Sequence, residues 1–78
     1  MQGDTVATRL RYARQRRAMT QAALSAATGV TEAAISKIEN GASLRPQMGT
    51  MRKLAAALGV EPGWLLTGDE SLRPHGAA

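Results

Sequence analysis

Glycines cut this chain at near-regular intervals, and the cuts limit what it can fold into. Gly29-Val30, Asn40-Gly41 and Gly59-Val60 each close an apolar-periodic run. Glycine enters the left-handed conformation that ends a helix without a Cβ penalty, and an apolar residue just after it, Val30 or Val60, suits the contact that seals such a stop. Starts stand opposite the stops. Asp4 or Thr5, then Thr20, then Thr31, each offer a side-chain oxygen to an orphan N–H of a first turn. Pro46 and Pro62 restrict the chain just before, or at the first position of, two more helices. Together these signals predict five helices, at roughly 5–17, 21–28, 32–40, 47–58 and 62–66, with short connections and no strand.

The chain has no Phe, one Tyr and one Trp, so its helices must pack through small and aliphatic side chains. The expected core is Val6, Leu10, Ala13, Met19, Leu24, Val30, Ile35, Ile38, Met48, Met51, Leu54, Leu58, Trp64 and Leu65. At 78 residues there is room for one small all-α domain. We expect that domain over 4–68 and a flexible C-terminal tail over 69–78, where Gly, Pro and terminal Ala gather. The absence of Cys excludes disulfides and thiolate metal sites, and the single His75 leaves no His-based metal cluster and no Ser/His relay. The expectation is therefore no catalytic residue, no metal, no cofactor and no enzymatic activity.

The formal charge of +4 is unevenly placed. Residues 9–53 hold nine of the ten bases and only Glu32 and Glu39 as acids, a net +7 against a mildly acidic remainder. Such a body suits a polyanionic partner, nucleic acid or an anionic membrane. The membrane reading is the weaker one, because the longest uncharged run, Ala18 to Thr31, is too short and too polar to span a bilayer. Asp4 and Arg9 interrupt any signal-peptide core, and the expected location is the cytoplasm, at the nucleoid.

Residues 20–41 read TQAALSAATGVTEAAISKIENG. Two short helices flank Thr28-Gly29-Val30, and a tight turn with a central Gly sets such helices at roughly 90–120°. On the second of them, Ala34, Ile35 and Ile38 fall within about 100° of one another, while Glu32, Ala33, Ser36, Lys37 and Asn40 spread over the opposite side. One side is core and the other is free, with the size and polarity an α-helix needs to enter the major groove.

This segment, followed by RPQMGTMRKLAAALGVEPGWLLTG at 45–68, resembles the phage-repressor helix-turn-helix family, the Cro and lambda-repressor-like (XRE) regulators. The likeness runs from about Val6 to Gly68 and rests on Thr20-Gln21, Leu24, Gly29-Val30, Ile35, Ile38-Glu39-Asn40-Gly41, Leu54-Ala55, Leu58-Gly59-Val60 and Trp64-Leu65-Leu66. It implies a compact five-helix bundle that binds double-stranded operator DNA, usually as a homodimer.

Matched position by position, the resemblance implies that Glu32, Ala33, Ser36 and Lys37 read bases, and that Thr20, Gln21, Thr31, Asn40 and Arg45 approach the DNA backbone. The residue types fit these roles. Lys37 can donate to guanine O6 and N7, Glu32 can accept from cytosine N4, and Ala33 can pack on a thymine methyl. A helix N-terminus at Gln21 favours a phosphate independently. Plainer readings stand beside these: Glu32 as a first-turn acid complementing the helix dipole, Gln21 as a first-turn polar residue, Arg52 and Lys53 as solvated, and Arg45 as reaching a minor-groove edge. Arg14 and Glu39 lie on the core margin of their helices, and the resemblance implies that they pair. Arg9, Arg11, Arg16 and Arg17 spread around the first helix and read as long-range field more than as contacts. Trp64, Leu65 and Leu66, with Leu72, form an apolar cluster that is either a dimer contact or ordinary core.

Three positions depart from the family pattern. Ala18 stands where a Gly commonly ends the first helix, Thr28 replaces an apolar residue under the turn, and Ala42 to Arg45 carries a single base where relatives carry two or three. The expected function is a sequence-specific DNA-binding regulator, a repressor, inserting the helix at 32–40 into the major groove of a pseudo-palindromic operator. The alternative is an antitoxin or phage accessory protein whose bundle engages a toxin or other protein partner.

Overall fold

A computed structural model describes residues 5–69. Asp4, Leu72 and most of the expected tail lie outside them. Five helices follow in order: α1 Val6–Arg16, α2 Gln21–Thr28, α3 Glu32–Glu39, α4 Met48–Leu58 and α5 Pro62–Thr67. Each starts and stops within about two residues of its sequence signals. No strand occurs among the described residues.

The local chemistry of the ends is specific. Thr5 caps α1 in a capping box with Thr8, Thr20 takes the N–H of Ala23, and Thr31 takes the N–H of Ala34. Gly29, Gly59 and Gly68 are left-handed at the ends of α2, α4 and α5. Ala18 is the one non-glycine with positive φ among the described residues, at 54°. It occupies the place of the missing family Gly. The Ala18 and Met19 N–H groups bond back to Gln15 and Arg14 carbonyls, so the first helix closes in the usual left-handed way with a Cβ in a crowded position.

α1 packs on α3 and α5, α2 on α3 and α4, and α4 on α5, in a body of 29 × 25 × 22 Å. The buried core is Val6, Leu10, Ala13, Leu24, Val30, Ile35, Ile38, Met51, Leu54, Ala55, Leu58, Trp64 and Leu65. Two expectations need correction. Met19 is only partly buried against the core, and Met48, the first residue of α4, is 40 % exposed, while Met51 in the next turn is fully buried.

Thr28 shows why a hydroxyl is acceptable under the turn. Its Oγ1 donates to the Leu24 carbonyl at 2.7 Å and accepts the Val30 N–H at 3.1 Å, so the half-buried polar group is satisfied and itself ties α2 to the residue that leads into α3.

Candidate nucleic-acid interface

α3 presents two unlike sides. Ile35 and Ile38 are buried, Ala34 is half-buried against the same core, and the outward side carries Thr31, Glu32, Ala33, Lys37 and Asn40 exposed with Ser36 half-buried. The helix is short, and its position depends on how its last turn is held. That hold is Glu39, whose side chain is 2 % exposed. Arg14 meets it as a fork, Nε to Oε2 at 2.7 Å and Nη2 to Oε1 at 2.8 Å, while Gln21 Nε2 donates to Oε1 at 3.2 Å. Arg14 also donates Nη1 to the Met19 carbonyl at 2.8 Å. One carboxylate therefore joins α1, the start of α2 and the end of α3.

The electrostatics follow from this geometry. Burial alone would raise the Glu39 pKa, but hydrogen bonds from Arg14 and Gln21 and the charges of Arg14 and Arg11 outweigh it, and the carboxyl is held below its ordinary value. The Arg14 guanidinium is pushed up, its hydrogen bond to Glu39 outweighing its own burial.

The other positions implied for the DNA surface fall as follows. Thr20 and Thr31 are exposed with their oxygens engaged as caps, which leaves each hydroxyl proton to donate outward. Gln21 is half-buried and already committed in part to Glu39, while its backbone N–H lies in the open first turn of α2. Asn40 accepts the Ala42 N–H on Oδ1 at 3.0 Å, which turns its NH2 donors outward. Arg45 is exposed in the loop between α3 and α4. The same loop carries Leu44, 74 % exposed. A cleft of about 200 Å³ opens between α3 and α4, lined by Ala34, Lys37, Ile38, Ser43, Pro46, Gln47 and Thr50.

Sequence reasoning overlooked Gln47 in this cleft. It occupies the N-cap of α4 but makes no side-chain cap, and glutamine is a poor capping residue. That mismatch was the available signal: an amide beside Lys37 that the helix itself does not use.

A family model described as helix-turn-helix matches residues 10–65, a span that includes α2, the turn at Gly29 and α3. The chain belongs to the helix-turn-helix family. It is of the Cro and lambda-repressor-like type, a DNA-binding regulator of the XRE kind. No solved structure gives a significant match to the chain. Within this helix-turn-helix protein, α2 and α3 form the motif proper, and α1, α4 and α5 form the support.

That support gives the first-helix arginines partners within the protein, in addition to their long-range charge. Arg9 is 8 % exposed and gives Nε to the Leu65 carbonyl at 2.9 Å and Nη2 to the Leu66 carbonyl at 2.8 Å. Arg11 gives Nη2 to the Glu39 carbonyl at 2.9 Å, and Arg17 gives Nε to the Leu58 carbonyl at 3.1 Å. Arg16 bonds the Tyr12 hydroxyl. Arg9, Arg11 and Arg17 thus each serve a helix C-terminus, where carbonyls lack partners and the helix dipole is negative. In the C-terminal apolar cluster, two of the three dimer candidates pack inside the protein. Trp64 and Leu65 are buried in the protein's own core, since α5 lies against both α1 and α4, and of the three only Leu66 is partly exposed.

Among the described residues no group of His, Asp and Glu gathers as a metal site, and no helix is long and apolar enough to cross a membrane.

Proposed function

We propose that this protein is a transcriptional repressor that lays α3 in the major groove of a pseudo-palindromic operator and reads it as a homodimer. The observation that carries the reading is the free outer side of α3, with Glu32, Ala33, Ser36 and Lys37 turned away from a core that holds Ile35, Ile38 and Glu39. Lys37 takes guanine, Glu32 takes the N4 amino group of cytosine, Ala33 packs on a thymine methyl, and Ser36 adds an adaptable donor and acceptor. Thr20, Gln21, Thr31, Asn40 and Arg45 supply the backbone contacts, which fix register and carry no sequence information. Asn40 suits this role because its donors are the free end of its amide.

Two copies related by a two-fold axis read half-sites about 10 base pairs, or 34 Å, apart. A body of 29 × 25 × 22 Å fits beside its twin at that spacing. Leu66 is the member of the α5 cluster left for contact between copies. Occupying the operator then excludes other proteins from the same groove, which is repression.

Selection from random duplex DNA at fixed salt tests this directly. The expected product is an inverted repeat with half-site centres about one helical turn apart, or a multiple of it. Recovery of no common motif would overturn the reading, and would leave the bundle as a surface for a protein partner. Run-off transcription from a promoter carrying the selected repeat separates repression, a fall with added protein, from activation.

A further inference from the structure

We infer that Arg11 is a positioning residue of DNA recognition: it fixes the end of the reading helix through the Glu39 carbonyl, and it is not a phosphate ligand. The inference rests on the DNA-reading role of α3 proposed above.

The last four carbonyls of an α-helix have no partner within the helix. In α3 these are Ser36, Lys37, Ile38 and Glu39. The loop that follows closes three of them with backbone N–H groups. Asn40 bonds Ser36, Ala42 and Ser43 both bond Lys37, and Gly41 bonds Ile38. The fourth carbonyl, Glu39, is closed by Arg11 Nη2 at 2.9 Å, and Arg11 Nε lies 3.7 Å from Glu39 Oε1. Arg11 therefore completes the end of α3 and ties it to α1 at the carbonyl, one peptide away from Asn40.

Its side chain is 49 % exposed, so from the sequence or from exposure alone it passes for one more surface cation. The geometry says otherwise. Its Nη2 is bonded to the Glu39 carbonyl while its Nε stands at ion-pair distance from the carboxylate, a planar placement that a lysine ammonium does not reproduce. The final turn of α3 carries Lys37, with Ser36 just before it, and the residue after it is Asn40. Loosening that turn costs recognition at their positions, because a side chain that must be ordered on binding gives up part of its discrimination.

The test uses the full chain with Arg11→Ala and Arg11→Lys, and Arg17→Ala as a control that removes an equivalent cap from α4 instead of α3. Amide exchange in the free protein comes first. Both Arg11 variants raise exchange at Asn40, Ala42 and Ser43 and leave Val60 unchanged, while Arg17→Ala does the reverse. Binding to the selected duplex and to single-base variants comes second, well below the melting temperature. Both Arg11 variants lose roughly 3- to 10-fold of discrimination at the base read by Lys37, and the log–log salt slope stays at the wild-type value.

Unchanged exchange at residues 40–43 in Arg11→Ala would overturn the inference. So would a salt slope shallower by about 0.9, restored by Arg11→Lys, which is the mark of a phosphate contact. Equal loss of discrimination in Arg17→Ala would also overturn it, by showing that general stability governs selectivity. If the wild-type protein prefers no duplex at all, the DNA-reading proposal fails, and the exchange measurement still decides whether Arg11 holds α3.

Discussion

Ala18 is an alanine in a glycine's conformation, at φ 54°. A left-handed Ala costs roughly 1–2 kcal/mol, part of which Gly gives back through its freer unfolded chain. Ala18→Gly is accordingly expected to stabilise the protein by about 1 kcal/mol, read as a higher denaturant midpoint at unchanged m. The sequence made the departure visible, and the left-handed φ with the Ala18 and Met19 N–H groups bonded back to α1 shows that the alanine accepts the conformation. Glu39 gives a larger effect of opposite sign. Glu39→Ala leaves Arg14, 13 % exposed, without its carboxylate and is expected to lower stability by about 3 kcal/mol or more. The same carboxylate sets a pH dependence. Because its folded pKa is depressed, its contribution is full above the unfolded carboxylate range, near about 4.3, and is lost as pH falls through the lower folded value. Denaturant melts taken downward from about pH 5 should therefore show a falling stability that is shallower in Glu39→Gln.

At the scale of elements, α1 is the part that sequence reasoning understood least. Its boundaries and its buried side, Val6, Leu10 and Ala13, follow from periodicity and were legible. Arg9 and Arg11, and Arg17 just after the helix, were not, because their partners are carbonyls of helices far along the chain: Arg9 reaches Leu65, and Arg17 reaches Leu58. No spacing rule connects residues so far apart, and a backbone carbonyl leaves no mark in the sequence. The helix works as a set of caps for α3, α4 and α5. Arg9→Met removes two hydrogen bonds to α5 carbonyls and is expected to cost about 2 kcal/mol, with raised amide exchange in α5 and little change in α2. Gly59 belongs to the same arrangement, since a Cβ there would run into the Arg17 guanidinium as well as strain a φ of 71°. α2 and α3 were the most legible elements, for the reason that their signals are local: Thr caps, a Gly turn and a helical apolar stripe within one short segment.

For the whole molecule, this use of arginine separates long-range charge, which bonding to neutral carbonyls leaves in place, from donors available to touch a phosphate. A +7 body suggested a broad electrostatic footprint, yet Arg9, Arg11, Arg14 and Arg17 all serve protein carbonyls or Glu39. The exposed bases left for DNA, among the described residues, are Lys37, Arg45, Arg52 and Lys53, with Arg16 beside Tyr12. The salt dependence of binding should therefore be modest, near the slope of about −0.9 per phosphate for a few contacts in each copy. Arg45→Ala is expected to flatten the slope by about 0.9 per copy, and Arg9→Met to leave it alone. The most direct measurement of the central claim is the affinity of wild-type protein and Lys37→Ala for every single-base variant of one half-site at fixed salt. If α3 reads the major groove, Lys37→Ala loses about 1–3 kcal/mol of discrimination at one base pair and keeps its preferences elsewhere. Uniform weakening across all variants, or preferences identical to wild type, would contradict it.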